Sequence, residues 1–234
     1  TLQDSSAASD VYKRQELCEA SAPGAMVSVA TDAHRAREIA AGIADLAAVN
    51  AAQLCVLGVP QEDLDTLCTR LDSANISWRL LRTNRAFHSR LLRPHVNSLH
   101  AAIQKLELRP PMTPLVSNVT GDLLTYTEAT DPNYWAMHLL QPVQFAGGMS
   151  YMKQASISHV VEVGPGNVMT QLAKLNGFSA EQCINSCPNY IGETDEDDDE
   201  VINEQIRHNE NAALAEAVGK LWQAGLELNW PAIY

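Results

Sequence analysis

Hydrophobic and polar positions follow two different periods along residues 26–82. Four short apolar runs are typical of β-strands and lie at residues 26–30, 47–50, 53–58 and 76–81. Apolar residues at helical spacing follow the first run and also separate the third run from the fourth. The second helical stretch places four side chains on one face: Leu64, Leu67, Cys68 and Leu71. The order strand–helix–strand–strand–helix–strand predicts a ferredoxin-like subdomain.

Helical periodicity dominates the rest of the chain. A helix is predicted from Ser89 to Glu107, because Leu92, Val96, Leu99, Ile103 and Leu106 would form one buried stripe. Two further strands are predicted at 113–118 and 159–163, and the second of these is expected to be buried. The sequence also predicts helices at 132–140, 143–155, 167–175 and 204–224 and an extended segment at 226–230.

The composition is that of a globular protein, with 46% hydrophobic and 19% charged residues among 234. No apolar run approaches the roughly 20 residues of a membrane helix, so we expect no membrane association. The net charge of −12 argues against nucleic acid as a partner. Seven of the acidic residues fall within residues 193–200, a block that is typical of a solvated loop.

The five cysteines predict neither disulfides nor a metal site. An odd number, partly in apolar segments, is typical of buried thiols in a reducing compartment, here the cytoplasm. Cys183 and Cys187 lack the second pair of ligands that a zinc site needs. His95 and His100 lie on different sides of the predicted helix, so they cannot share a tetrahedral ion.

Candidate chemistry centres on Arg85-Ala86-Phe87-His88-Ser89 and on Glu162-Val163-Gly164-Pro165-Gly166. His88 lies between a predicted strand and a helix, where α/β enzymes commonly carry reactive side chains. A lone histidine after an aromatic residue is, by itself, more often structural. The chain contains no Gly-x-Ser-x-Gly turn of the kind that carries a nucleophilic serine.

Several motifs together resemble the malonyl-type acyltransferase domains of type I polyketide synthases, the malonyl-CoA:acyl carrier protein transacylase family. The matching segments are Ala86-Phe87-His88-Ser89, Tyr134-Trp135, Pro142-Val143, Gly164-Pro165-Gly166 and Leu221–Gly225. The resemblance departs at Arg85, where the family has the first histidine of a His-Ala-Phe-His motif. It implies an α/β fold: a ferredoxin-like small subdomain, the C-terminal part of an α/β-hydrolase-like acyltransferase domain, and a linker with a terminal helix.

These expectations divide the chain into four parts. Residues 1–24 form a poorly defined start, of which residues 1–8 do not resemble the family, and residues 25–85 form the ferredoxin-like subdomain. Residues 86–182 form the C-terminal part of the large acyltransferase subdomain. Residues 183–234 form the linker, with the acidic loop and a helix.

The resemblance also implies roles for individual residues. His88 is the general base, and the backbone carbonyl at His138 accepts the N–H of its ring. Phe87 narrows the acyl pocket and so favours malonyl over methylmalonyl. Arg14, ten residues before Gly24, would bind the malonyl carboxylate. Asn50 would lie in a turn near the acyl pocket.

The implied reaction moves a malonyl group from malonyl-CoA through an acyl-serine to the phosphopantetheine thiol of an acyl carrier protein. It needs no catalytic cofactor and no metal, and neighbouring synthase domains are further partners. Because the serine motif is missing, the chain is expected to be a C-terminal fragment that is inactive alone. Two alternatives remain open: a non-catalytic scaffolding or docking remnant of a synthase, and an unrelated α/β hydrolase.

Overall fold

The structure, a computed structural model, describes residues 20–187 and 199–233. The chain divides into two compact units, one ending at Gln154 and the other beginning at Ala155. Arg14 and most of the acidic block lie outside the described residues. Among the described residues, no helix is long and apolar enough to cross a membrane.

The first unit begins with a four-stranded sheet and two helices. In chain order these are β1 (Gly24–Val29), α1 (Ala33–Ala40), β2 (Asp45–Ala51), β3 (Leu54–Pro60), α2 (Leu64–Ser73) and β4 (Trp78–Leu80). All neighbouring strands pair antiparallel, in the order β2-β3-β1-β4. The order of strands and helices that the sequence predicts is therefore confirmed.

One face of this sheet packs against α1 and α2. Val27 and Val29 of β1 and Leu57 of β3 are fully buried there, together with Leu67 and Leu71 of α2. Alternation along each strand places these side chains on the same face. Burial of each side chain of this size contributes about 1.5–3 kcal/mol to folding stability. This face is therefore the main core of the unit.

The opposite face of the sheet is covered as well. The covering cluster consists of Met26, Ala47, Ala48 and Val56 with Phe87 and Val143. The amide of Val143 donates to the carbonyl of Ala47 (2.9 Å), and its carbonyl accepts from the amide of Val49 (2.8 Å). The sheet thus holds two distant segments of the chain, around Phe87 and around Val143, on one surface.

The long helix predicted from Ser89 to Glu107 is wrong. The segment Arg90–His95 is a 3₁₀ helix, and an α-helix, α3, spans only Val96–Ile103. Pro94 lies inside the segment; it has no amide hydrogen to donate and its ring crowds the preceding turn. Leu106 lies beyond the helix and is 39% exposed, so the predicted stripe is shorter by one turn.

The strand predicted at 113–118 is also wrong, because this segment makes only an isolated β-bridge, between Val116 and Leu123. The predicted strand at 76–81 forms as β4, but Trp78 and Leu80 remain exposed. β4 is the edge strand next to β1, and the indole N–H of Trp78 donates to the carboxylate of Asp72 (2.8 Å).

Three further helices complete the first unit: α4 (Tyr126–Thr130), α5 (Pro132–Met137) and α6 (Phe145–Gln154). Thr125 and Glu128 form a capping box at the start of α4. Leu92, Leu99 and Ile103 are buried against Ala136 and Leu139. This second core joins α3 to α5 and brings the segment after α5 next to the residues that precede α3.

The second unit pairs two short parallel strands, β5 (Val160–Glu162) and β6 (Cys183–Asn185), with the helix α7 (Val168–Leu175) between them in the chain. The carboxylate of Glu162 accepts hydrogen bonds from the amides of Met169 (3.0 Å) and Thr170 (2.9 Å). A carboxylate at a helix N-terminus satisfies amides that have no helical partner, so Glu162 fixes the strand-to-helix turn.

Three predictions for the second unit need correction. The strand at 159–163 forms as β5, but Val161 is 39% exposed and Val163 is 86% exposed, so it is not buried. The pattern did not predict β6 at all. The final helices are α8 (Asp199–Gln223) and α9 (Trp230–Ile233); α8 therefore includes Asp199 and Glu200, which the charge pattern assigned to a loop.

Two glycines allow the segment Ala86–Ser89 to lie close to the sheet. A Cβ at Gly24 would lie 2.9 Å from the Cβ of Ala86, and a Cβ at Gly58 would lie 3.2 Å from the carbonyl oxygen of Phe87. Both distances are shorter than ordinary carbon contacts of about 3.5–4.0 Å. A side chain at Gly24 would therefore force its neighbours to shift, and a side chain at Gly58 would make a tight contact with the Phe87 backbone.

We expect Gly24→Ala to lower the free energy of unfolding by about 1–3 kcal/mol, because the added methyl group overpacks the contact with Ala86. Urea denaturation measures the change. Gly219→Ala in α8 is the matched control, since a Cβ there meets nothing within 4 Å and alanine favours a helix interior by about 0.8–1.0 kcal/mol. Unchanged stability of Gly24→Ala would contradict the close packing described here.

Candidate active site

The loop from Ala86 to Ser89 carries the most constrained histidine of the first unit. Ser89 is 2% exposed, and its hydroxyl donates to the carbonyl of Ala86 (2.6 Å). The same hydroxyl oxygen accepts from the amide of Leu91 (3.3 Å) and so caps the 3₁₀ helix that follows. Ser89 thereby closes a tight turn with His88 inside it.

His88 adopts a left-handed backbone conformation, with φ of 53°. Such a conformation is unfavourable for a residue with a side chain, by about 1–3 kcal/mol, and persists only where the surroundings enforce it. Here the Ser89–Ala86 hydrogen bond and the packing on Gly58 enforce it.

The His88 ring is held by two backbone carbonyls. Its Nδ1 lies 2.9 Å from the carbonyl oxygen of His138 and 3.0 Å from that of Gln141. Both partners can only accept, so Nδ1 carries the proton and Nε2 is left with a free lone pair. These carbonyls lie at and just beyond the C-terminal end of α5, where a helix leaves acceptors unsatisfied.

Burial lowers the pKa of His88 below its ordinary value of 6.5, while the two carbonyl hydrogen bonds act in the opposite direction. Desolvation is the larger effect because the charged ring loses water that two neutral acceptors replace only in part. The imidazole is consequently neutral at physiological pH. A neutral ring with a free Nε2 can accept a proton from a substrate or a nucleophile.

Stacked aromatic rings fix the position of His138. Its ring stacks on Trp135, with centroids 5.5 Å apart, and meets the edge of Tyr134 at 5.0 Å. The hydroxyl of Tyr134 is 2.5 Å from that of Ser117, which is almost fully buried. The side chain of His138 therefore packs, and its role toward His88 runs through its carbonyl.

A cavity of about 170 Å³ lies beside His88. Its walls combine two imidazoles with apolar side chains, from Phe87, His88, Leu92, Leu99, Trp135, His138 and Leu139. Phe87 thus contributes to the cavity wall on one side and packs on the sheet on the other. The arrangement offers an apolar space next to one proton acceptor.

Asn50, another predicted site residue, is not brought to this cavity. Asn50 lies in β2, next to a shift of the strand register between Val49 and Ala51, and it does not line the cavity. Arg14 lies outside the described residues. Among the side chains described, in residues 20–187 and 209–231, no group of three or more His, Cys, Asp and Glu could hold a metal ion.

The carbonyl of Gln141 is the one contact of this site that sequence reasoning missed. A main-chain acceptor leaves no residue-type signal, and the family motif pointed only to the neighbourhood of His138. The single hint is position: Gln141 precedes Pro142-Val143, and Val143 pairs with β2. Because Val143 pairs with β2, the carbonyl of Gln141, two residues earlier in the chain, lies next to the His88 ring.

Comparison with known proteins identifies the family. The sequence model of the family described as the acyl transferase domain matches residues 1–217. The chain belongs to the acyl transferase domain family. The predicted resemblance to polyketide synthase acyltransferase domains is thereby confirmed.

The similar proteins are large synthases and their excised domains. The chain is 29% identical over 222 residues to a phenolphthiocerol/phthiocerol polyketide synthase subunit of Mycobacterium tuberculosis (strain ATCC 25618 / H37Rv), covering 94% of this chain and 14% of the synthase. The acyl transferase domain of SpnD in complex with 2-(pent-4-yn-1-yl)malonyl matches with a TM-score of 0.82 and 31% identity, over 94% of this chain and 50% of that domain chain.

The acyltransferase domain from the second module of the salinomycin polyketide synthase gives a TM-score of 0.82 at 29% identity, over 95% of this chain and 49% of that chain. The chain therefore spans about half the length of these solved domains. The α/β fold of the acyltransferase family is shared across that half.

We expect the lowered pKa of His88 to make stability pH-dependent. The unfolded chain takes up a proton near pH 6.5, whereas folded His88 resists protonation to lower pH, so the free energy of unfolding falls as pH drops below about 6.5. Thermal melts at about pH 7.5 and about pH 5.5 should differ more for the wild type than for His88→Gln.

His34→Gln, at an exposed site on α1, is the control for the loss of a histidine that does not line the cavity beside His88. In nitrogen NMR spectra, His88 should show the Nδ1-protonated tautomer at neutral pH. An Nε2-protonated ring, or equal pH dependence in wild type and His88→Gln, would contradict the hydrogen-bond assignment.

Proposed function

We propose that this chain provides the general base of an acyltransferase domain, which moves a malonyl group from malonyl-CoA to the phosphopantetheine thiol of an acyl carrier protein. The observation that carries the proposal is the His88 ring, held through Nδ1 by two carbonyls with Nε2 free. Membership of the acyl transferase domain family supplies the reaction class.

In the first half-reaction, a serine hydroxyl attacks the malonyl thioester while Nε2 of His88 takes the hydroxyl proton. The C–S bond then breaks, and the CoA sulfur leaves with the proton from the imidazolium. The product is a malonyl-serine ester. No Gly-x-Ser-x-Gly occurs in the 234 residues, so the proposed domain includes a serine supplied from outside them.

In the second half-reaction, Nε2 of His88 takes the proton of the pantetheine thiol, and the sulfur attacks the ester carbonyl. The C–O bond breaks and the serine oxygen recovers the proton. In both halves the imidazolium donates from Nδ1 to the carbonyls of His138 and Gln141. These acceptors would orient the ring as the aspartate of a serine triad does, without a full negative charge.

The proposed domain plan follows the family. Residues 25–85 form the ferredoxin-like subdomain, which the antiparallel order β2-β3-β1-β4 supports. Residues 86–182 belong to the α/β-hydrolase-like large subdomain, and residues 183–234 form the linker toward a neighbouring synthase domain. The compact unit that ends at Gln154 joins the first part of the large subdomain to the small one.

Substrate recognition is proposed to involve three residues. Phe87 faces the cavity of about 170 Å³ and would fill the space that an α-methyl group needs. Arg14 would pair with the malonyl carboxylate through its guanidinium. Asn50 would contribute from β2, whose partner Val143 follows the carbonyls that hold His88. The reaction uses no metal or redox cofactor.

We expect His88→Gln to reduce malonyl transfer by about 10²–10⁴-fold, the usual contribution of a general base. The assay follows labelled malonyl from malonyl-CoA to an acyl carrier protein, using the full polypeptide that carries these residues. His34→Ala should retain the wild-type rate, because His34 is exposed on α1. An unchanged rate in His88→Gln would rule out His88 as the base, whereas the absence of transfer in the wild type would favour the alternative, a scaffolding remnant without chemistry.

Phe87→Ser should raise the ratio of kcat/KM for methylmalonyl-CoA to that for malonyl-CoA. One methyl group in an apolar pocket changes specificity by about 1–3 kcal/mol, or about 10–200-fold. Phe87→Met, which keeps most of the volume, should leave the ratio near the wild-type value. A constant ratio in Phe87→Ser, with an unchanged thermal melt, would remove Phe87 from the specificity pocket.

A further inference from the structure

A second cavity of the first unit is lined by charged side chains. It has a volume of about 330 Å³, and its wall includes Arg37 of α1, Asp45 of β2, Arg90 and Arg93 of the 3₁₀ helix, and Leu140 and Pro142. Leu140 and Pro142 flank Gln141, whose carbonyl holds His88. Arg90 is two residues from His88, so their Cα atoms lie within about 7 Å.

The charges of this cavity do not cancel. Three guanidinium groups face one carboxylate, which leaves an excess of two positive charges in a chain whose net charge is −12. Asp45 is engaged by Arg90: one carboxylate oxygen accepts from the Arg90 Nε (3.0 Å) and from its backbone amide (2.8 Å). The carboxylate therefore orients Arg90 rather than neutralising the cluster.

Among the side chains that the structure describes, in residues 20–187 and 209–231, the other two arginines have no counter-ion. Arg93 makes no side-chain hydrogen bond or ion pair to any described residue, and Arg37 donates to the carbonyl of Ala33 at 3.5 Å. Glu38, the residue after Arg37, is bound to Arg35 instead (3.0 Å). Two guanidinium groups without a described counter-ion on the wall of one open cavity are suited to an anionic ligand.

We propose that Arg37, Arg90 and Arg93 form a phosphate-binding site for the pantetheine-bearing substrate. Guanidinium groups bind phosphate oxygens through paired hydrogen bonds, and the cavity volume lies within the range of about 300–1,000 Å³ that is usual for small-ligand sites. This inference rests on the proposed function. A flexible pantetheine arm would connect the phosphate at this cavity to the thioester or thiol at His88.

The same phosphate chemistry occurs in coenzyme A and in the carrier-bound arm, so the test separates the two sources. Calorimetric titrations of the full polypeptide that carries these residues use pantetheine, 4′-phosphopantetheine, dephospho-CoA and CoA, at low and at raised salt. In the double variant Arg37→Gln with Arg93→Gln, we expect Kd for CoA to rise tenfold or more. Pantetheine, which has no phosphate, should bind the variant and the wild type alike.

A control variant with the same change of net charge combines Arg35→Gln and Arg109→Gln. Both of these arginines are exposed, and their partners are Glu38 and Glu107 rather than the cavity. The control should bind CoA as the wild type does. The double variant leaves Arg90 and the His88 loop intact, and thermal melts check that it folds.

Weakened binding of 4′-phosphopantetheine in the double variant would assign the site to the phosphate that CoA and the carrier arm share. Weakened binding of dephospho-CoA or CoA alone would assign it to the nucleotide phosphates. Equal CoA affinity in variant and wild type, or equal loss in the control, would overturn the inference. That result differs from failure of the proposed function, in which His88→Gln would leave transfer unchanged.

Discussion

The candidate site depends on the hydrogen bonds from Nδ1 of His88 to the carbonyls of His138 and Gln141. These hydrogen bonds join the Ala86–Ser89 turn to a segment about 50 residues later in the chain. The two carbonyls can hold the ring only because other elements of the fold place them beside it. The second core, with Leu92 and Leu99 packed on Leu139, brings α3 and α5 together. The pairing of Val143 with β2 then sets where Gln141 lies.

The sheet makes this arrangement possible because both of its faces are buried. One face forms the core with α1 and α2, which provides a rigid support. On the other face, Gly24 and Gly58 leave room for backbone where side chains would otherwise stand. The Ala86–Ser89 turn lies close enough for its hydrogen bonds and packing to hold His88 at φ of 53°. Local strain at the candidate base is thus balanced by packing on the sheet.

Local patterns predicted the fold well where burial of one face of a helix or strand decides the structure. Leu67 and Leu71 are buried at the helical spacing that predicted α2, and the four strands form in their predicted order. The prediction of a long helix from Ser89 was wrong because it gave the apolar stripe more weight than Pro94. The exposed Val161 shows a second limit: an apolar run predicts a strand, but whether it is covered depends on what packs against it.

The candidate site also has one part that the sequence could predict and another that it could not. The motif around Phe87 and His88 could be read from the sequence, because the family resemblance concerns side chains. The Gln141 carbonyl could not, since backbone acceptors carry no identity, and neither could the cavity that gathers Arg37, Arg90 and Arg93 from two segments.

The choice of carbonyls as partners has a chemical consequence for the proposed base. A buried carboxylate beside the ring would stabilise the imidazolium strongly and raise the pKa of His88. Two neutral carbonyls orient the ring equally well but offset desolvation only in part, so the pKa stays below 6.5. The lowered pKa favours the neutral ring at neutral pH. This ring can accept a proton from a serine hydroxyl in one half-reaction and from a thiol in the other, and in each case it returns that proton to the leaving group.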